Sequence, residues 1–320
     1  PMWEGGNFDG TEHERRAILA AALDLGAEFV DIEWHAVEGQ PTGVPFRDLV
    51  QRSPQRIVVS SHDFDTIPAD LDSRARVMRA TGGGTIKIAV SVTRASQALC
   101  LERLTKDGPA IVIGMGTLGV VSRLLAGRLG SRWTYAGDGA APGQLPARQM
   151  IDDYGFGRVG ASTRIFGVVS THALHSLSPL MHNAAFHAAG IDAVYVPLPV
   201  HDFEDFISLA EGLGIEGVSV TIPFKLDALR AASSSDPLTR QVGAANTLRR
   251  SGESWAATNT DVEGFLQPLD EAWGRSLNGV RASVLGAGGA ARRVVVAGRP
   301  PVHVPRRRSP DALARRCSAG

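Results

Sequence analysis

Two lysines in this chain sit where an amine could do chemistry. Lys87 lies inside Thr85–Val90 (TIKIAV), a strongly apolar run of strand length. Desolvation there disfavours the ammonium and leaves an amine able to attack a carbonyl. His62 closes the run Arg56–Asp63 (RIVVSSHD), and a histidine beside an imine-forming lysine can move the protons that imine formation and elimination require. Lys225 ends VTIPFK, and Asp261 stands in NTDVEGF. A lysine held near an aspartate can protonate a carbonyl that receives hydride. The bland alternatives are a snorkelling strand lysine, a structural strand-end histidine and a surface salt bridge. Of the 33 basic residues only Lys87, Lys106 and Lys225 are lysine. Arginine replaces lysine readily where charge alone matters but cannot supply a neutral amine, so a retained lysine points to amine chemistry. Lys106, in an exposed-looking TKDG turn, is read as chance.

The elements that must carry these groups are short β-rich runs alternating with amphipathic stretches. Phe29–Trp34, Arg56–Asp63, Thr85–Val92, Ala110–Gly116 and Trp133–Gly137 read as strands. Thr11 to Glu14 read as a capping box opening a helix that Gly26 closes. Repeated βα units make a parallel sheet, commonly a barrel, with catalytic groups at the C-terminal ends of its strands. Only five such strands are visible where a barrel needs eight, so the expectation is a partial (β/α)8 barrel. The Gly-rich stretch 152–162 reads as a boundary. Beyond it come strand Arg164–Val169, helix Pro179–Ala189, strand Ala193–Pro197, helix Phe203–Leu213, strand Gly217–Ile222 and a helical stretch to Phe265 and beyond. Strand Val280–Leu285 then leads into Gly286-Ala287-Gly288-Gly289-Ala290-Ala291. That is the pattern of a dinucleotide-binding loop, whose glycines let backbone and helix N-terminus approach a pyrophosphate. After a further short strand, Val302–Val304, Arg306–Arg308 stand where an acid would hold a ribose hydroxyl. Arginine suits a 2′-phosphate, so NADP is expected over NAD.

Composition bounds the rest. The 320 residues carry 33 basic and 33 acidic side chains, a formal charge of zero, so no nucleic acid or anionic membrane is called for. Two cysteines, Cys100 and Cys317, are too few for a disulfide scaffold or a four-ligand zinc site, and no metal is expected. No apolar run is long enough to span a membrane, so the expectation is a cytoplasmic protein.

WEGG at Trp3–Gly6, SSHDF at Ser60–Phe64, KIAV at Lys87–Val90, the run containing Arg123 and APGQ at Ala141–Gln144 resemble, in order, type I 3-dehydroquinate dehydratases. Schiff-base aldolases also carry a strand lysine, but SSHDF and APGQ argue against them. The resemblance covers nearly all of residues 1–150, implies a barrel domain over 1–153, and implies that Lys87 forms an imine with the substrate ketone. His62 is then the general acid/base with Glu4 as its partner, Arg123 holds the carboxylate and Gln144 the ring hydroxyls. HSLSP, VTIPFK, GAANT, NTDVEGF and GAGGAA resemble shikimate dehydrogenases across 163–292. By that resemblance Lys225 and Asp261 are the catalytic pair. Ser176 and Ser178 bind the substrate carboxylate, Thr221 and Asn246 its hydroxyls, and the glycine loop and Arg307 hold NADP. Residues 163–265 would form a substrate domain and 275–320 a truncated Rossmann domain.

Together these imply a bifunctional enzyme of the shikimate pathway, incomplete at both ends. It would act on 3-dehydroquinate and 3-dehydroshikimate, with fusion raising the local concentration of the shared intermediate. The departures are the family's first strands and an arginine before WEGG, Ala140 where serine is common, Ser170-Thr171-His172 at a Gly-Asn-Pro-like turn, and Gly298 and Pro300 in the last helix. They predict a catalytically poor, aggregation-prone first half and weakened cofactor binding. Two alternatives remain open: a quinate/shikimate dehydrogenase using NAD, and a non-catalytic fragment binding shikimate-like acids weakly.

Overall fold

The computed structural model describes residues 1–139 and 141–273. The chain is α/β and divides into two compact units, Pro1–Glu216 and a second beginning at Gly217.

The first unit contains a four-stranded parallel sheet: β1 (Val30–Glu33), β2 (Ile57–Asp63), β3 (Thr85–Ser91) and β4 (Ala110–Met115), ordered as in the sequence. Strand alternation sorts its side chains. One face presents Ile57, Val59, Ile86, Ile88, Val90 and Val112 to a core shared with helical Leu71, Met78, Leu101 and Leu104. The other face carries a smaller apolar cluster of Val58, Ala89, Ile111, Ile113 and Met115. The register Glu33↔Ser60↔Lys87↔Ile111 puts polar groups in its midst. The helix Glu12–Asp24 opens on the expected capping box: Thr11 Oγ1 accepts from Glu14 N at 3.2 Å, and Glu14 Oε2 accepts from Thr11 N at 2.7 Å. Gly26 follows its end at φ 93°.

The expected fifth strand, Trp133–Gly137, is not one. Along the edge of β4 away from β3, Val112 N donates to Ser131 Oγ (3.1 Å) and Gly114 N to Ser122 Oγ (2.8 Å), while Ala110 O accepts from Arg132 N (2.8 Å). Two serine hydroxyls therefore take the donors that a fifth strand would have met. No closed barrel forms among the described residues.

Two further strands of this unit, β5 (Arg164–Ser170) and β6 (Ala193–Pro199), pair in parallel. The intervening helix Ser178–Ala188 is pinned to β6 by Asn183, whose side chain accepts from Tyr195 N at 2.7 Å and donates to Tyr195 O at 2.9 Å. Helix Phe203–Leu213 buries Phe203, Phe206, Leu209, Ala210 and Leu213, one stripe at helical spacing. Asp202 caps its start and Gly214, at φ 68°, its end.

β7 (Ile215–Val220), most of which lies in the second unit, pairs antiparallel through Gly217–Ser219 with β9 (Thr247–Ser251), and β9 with β10 (Ser254–Thr258). The short β8 (Ser234–Ser235) joins β10 in parallel. This sheet corrects two expectations. The strand ends at Val220 rather than Ile222: Pro223 has no N–H for a ladder, and Ile222 is 75% exposed. The expected helical stretch is broken into helices Lys225–Ala231 and Pro237–Val242, the β9–β10 hairpin and helix Asp261–Trp273. Gly252, at φ 62°, takes the first place of a two-residue turn between paired Ser251 and Ser254, a conformation glycine adopts without strain. Val242, Ala244 and Val262 form the core here, with Leu226 and Leu266 against them.

Candidate functional sites

Five groups singled out by the sequence line one cavity of about 280 Å³ in the first unit: Glu4, His62, Lys87, Arg123 and Gln144. Each arrives on a different element. Lys87 projects from the middle of β3, and its Nζ lies 3.0 Å from Asp31 Oδ2 of β1 and 4.8 Å from the centre of the Tyr135 ring. Its surroundings are thus not the purely apolar ones its strand predicts, because a carboxylate shares the same face of the sheet. His62 stands near the end of β2, its Nδ1 3.1 Å from Glu4 Oε1. The same oxygen accepts from His62 N at 2.8 Å, so one carboxylate fixes both backbone and ring. Phe64 stacks on the imidazole at 6.1 Å. With Nδ1 turned to Glu4, Nε2 is the nitrogen left to exchange a proton with a bound molecule.

Arg123 comes from the helix Val120–Leu124, every residue of which is buried. It is 2% exposed and donates to Tyr135 O and Pro142 O, both at 3.2 Å, while its Nε has no partner among the described residues. No carboxylate pairs with it among the described residues. Burial of this guanidinium pushes its pKa down to about 10. A buried cation without a counter-ion in a cavity wall is a ready receptor for a ligand carboxylate. Gln144 Oε1 accepts from Ala141 N at 3.0 Å, which leaves its amide NH2 to donate.

Sequence reasoning missed two acids here, Asp31 beside Lys87 and Glu33 in the cavity wall. Glu33 lines the cavity and pairs with buried Arg15 at 2.5 Å. Burial nonetheless holds its carboxyl above the ordinary range, although Arg15 opposes the shift. The available signal was FVDIEW, two carboxylates at i and i+2 of an apolar strand, which must share a face.

The second lysine site lies in the second unit. Lys225 opens the helix Lys225–Ala231 and Asp261 the helix Asp261–Trp273, with Nζ to Oδ2 at 2.7 Å and side chains 14% and 20% exposed. Ala245 N donates to Lys225 O at 2.8 Å, Asp261 N to Asn259 Oδ1 at 3.1 Å, and Asn259 Nδ2 to Ala244 O at 2.7 Å. The GAANT and NTD segments thereby clasp one another and fix both ends of the pair. Asn246 Oδ1 accepts from Thr260 N at 3.0 Å and Asn246 Nδ2 donates to Thr260 Oγ1 at 2.9 Å. Thr221 is exposed just beyond β7.

In the first unit, Ser176 Oγ accepts from Ser178 N at 3.2 Å, and both residues are half-buried at the start of the helix Ser178–Ala188. Lys106 is exposed and pairs with Glu102 at 3.7 Å, as a solvated turn residue does. Gly286, Ala287, Gly288, Gly289, Ala290, Ala291 and Arg307, together with Ala140, Cys317 and the expected Rossmann segment, lie outside the described residues. Among the described residues no helix is long and apolar enough to cross a membrane, and no cluster of potential metal ligands occurs.

A lysine, a histidine–glutamate pair and an arginine with no carboxylate partner among the described residues line this one cavity. The chain belongs to the type I 3-dehydroquinase family, whose model matches residues 1–160. The model of the shikimate dehydrogenase substrate binding domain matches residues 168–248. A chloroplastic bifunctional 3-dehydroquinate dehydratase/shikimate dehydrogenase of Arabidopsis thaliana is 31% identical over 91% of this chain and 52% of its own. A shikimate dehydrogenase (NADP(+)) of Nostoc is 42% identical over 43% of this chain and 48% of its own. A solved structure of dehydroquinate dehydratase and shikimate dehydrogenase from S. pombe AroM is 23% identical over 98% of this chain and 62% of its own, with a TM-score of 0.39. The chain spans about half the length of the curated relatives it matches.

Proposed function

We propose that the chain catalyses dehydration of 3-dehydroquinate through an imine on Lys87, and NADPH-dependent reduction of 3-dehydroshikimate to shikimate through Lys225 and Asp261. The cavity that gathers Glu4, His62, Lys87, Arg123 and Gln144 carries the first of these readings. Arg123 takes the substrate carboxylate as a planar fork, and Gln144 orients the ring hydroxyls. Lys87 Nζ adds to the ketone carbon, and loss of water leaves a protonated imine. His62 Nε2 removes a proton from the carbon beside it, and the electron pair runs into the iminium to give an enamine. The electrons return to form the ring double bond as the β-hydroxyl leaves, carrying the proton that His62 gives back. Glu4 holds the ring throughout and faces the charge it acquires. Water then releases product and Lys87.

In the second activity Ser176 and Ser178 hold the substrate carboxylate, and Thr221 and Asn246 its hydroxyls. Lys225, oriented by Asp261, would protonate the carbonyl oxygen, and NADPH, when bound, would supply the hydride. The residues proposed to hold that cofactor are the glycine loop and Arg307, whose cation suits the 2′-phosphate of NADP better than the ribose of NAD. The proposed division is a dehydratase domain over 1–153, a substrate domain over 163–265 and a Rossmann segment over 275–320, acting in the cytoplasm on small-molecule substrates.

Incubation with 3-dehydroquinate and borohydride tests the first activity. A reduced adduct mapped to Lys87 is expected; a soluble chain that gains no mass would overturn the dehydratase reading.

A further inference from the structure

Asp205 is a buried charge with an unusual set of partners. It lies on the helix Phe203–Leu213, is 1% exposed, and accepts from Ala95 N (2.7 Å) and Ser96 N (2.9 Å). Arg94 Nε lies 3.6 Å from the same carboxylate, and Arg94 also pairs with Asp202 at 3.1 Å. A carboxylate is buried at such cost only where bonds of this kind replace its water. Here it caps the turn Ala95–Ala98, whose first N–H groups have no other partner among the described residues, from more than a hundred residues further along the chain. Gly212 completes the seat, since a Cβ there would stand 2.4 Å from Leu99 Cδ1.

The capped segment leaves the strand that carries Lys87. β3 ends at Ser91, whose Oγ donates to Phe64 O at 2.7 Å, and Val92 N donates to Met115 O at 3.4 Å. Phe64 and Met115 are both walls of the cavity, and Phe64 lies on His62 and fills the space above Gly5.

We propose that Asp205, contributed by the shikimate-dehydrogenase-like part of the chain, is a positioning residue for the Lys87 site, acting through Arg94–Ser96, Ser91 and Phe64. The inference rests on the dehydratase reading for its kinetic consequence. A free-standing dehydratase would have to order this segment by itself.

Asp205→Ala and the milder Asp205→Asn, which keeps one acceptor, would be compared in the full chain with Ser91→Ala and the double variant. Two quantities are read: amide hydrogen exchange over 57–66 and 92–98, and the rate of borohydride trapping on Lys87. Asp205→Ala is expected to speed exchange in both segments and to slow trapping on the order of tenfold, with half-saturation by 3-dehydroquinate little changed, because Arg123 hangs from another element. Asp205→Asn should recover part of both effects. The double variant should be no slower than the worse single one, as a shared path requires. Unchanged exchange at 57–66, or trapping at the wild-type rate in a variant whose exchange has risen, would overturn the proposal. A wild-type chain that traps nothing would overturn the dehydratase reading instead. Exchange at 57–66 would then decide the bracing alone, faster exchange upholding it and unchanged exchange refuting it.

Discussion

Lys87 and Lys225 are equally buried and each contacts one aspartate, at 3.0 and 2.7 Å, yet the two sites are suited to opposite tasks. Around Lys87 stand an ionisable histidine–glutamate pair, an arginine that pairs with no acid among the described residues and a cavity of about 280 Å³. Around Lys225 the supporting groups are amides, hydroxyls and backbone: Asn246, Asn259, Thr260 and the carbonyl of Ala244. The first set can carry several proton transfers while a covalent bond forms and breaks. The second holds one lysine side chain in one direction. The identity and burial of a lysine therefore say little about its chemistry, and the neighbours decide it.

Substituting the lysines one at a time is the sharpest way to break this contrast. Lys87→Met should abolish the borohydride adduct and lower dehydratase turnover by at least about a thousandfold, leaving hydride transfer in place. Lys225→Met should do the reverse. An adduct on Lys225 would end the distinction between the two sites. Asp261→Asn keeps the shape of its pair and removes the charge; a fall in reductase kcat of about a hundredfold is expected, with trapping on Lys87 unaffected.

Arg123→Leu should raise the half-saturating 3-dehydroquinate concentration by about 10–100-fold, the worth of a hydrogen bond to a charged group. Because burial lowers the pKa of this guanidinium to about 10, carboxylate binding should weaken as pH rises through that value, well below the ordinary arginine range. The sign for stability is opposite. The folded chain gives up this proton more readily than the unfolded one, so the buried charge costs stability below about pH 10 and the cost is relieved above it.

The smallest effect concerns the support of the second site. Asp236 caps the helix Pro237–Val242 by accepting from Thr239 N at 2.8 Å. Burial pushes its carboxyl up, but the Thr239 hydroxyl and backbone N–H groups outweigh it and the net shift is downward. Asp236→Ala should cost about 1 kcal/mol in urea unfolding at neutral pH. A depressed carboxylate pKa contributes stability above the unfolded value of 3.8 and loses it as pH falls through the folded one, so wild type and variant should converge in acid.

Much of this was legible in the sequence because it is local. The strand runs of β1 to β6, the capping box at Thr11 and the helix Phe203–Leu213 follow from periodicity and end signals within a few residues. Glu4, His62, Lys87, Arg123 and Gln144 were found by type and motif, and one cavity gathers them. What escaped depends on partners distant in sequence. Asp31 meets Lys87 only through the order of the strands, 56 residues apart. Trp133–Gly137 has strand composition, but Ser131 and Ser122 occupy the edge it would have joined. The β9–β10 hairpin was hidden by its polar residues, although Ser251-Gly252 was a turn signal in plain sight.

Those two serines have a consequence for the molecule among its neighbours. An exposed outer strand normally invites a stranger to lie alongside, because its unmet N–H groups are a template for another backbone. At β4 the invitation is withdrawn: Val112 and Gly114 have spent their donors on Oγ atoms of the same chain. Removing either hydroxyl, as in Ser122→Ala or Ser131→Ala, would leave a buried N–H of this strand without its acceptor, at a cost of about 1–3 kcal/mol.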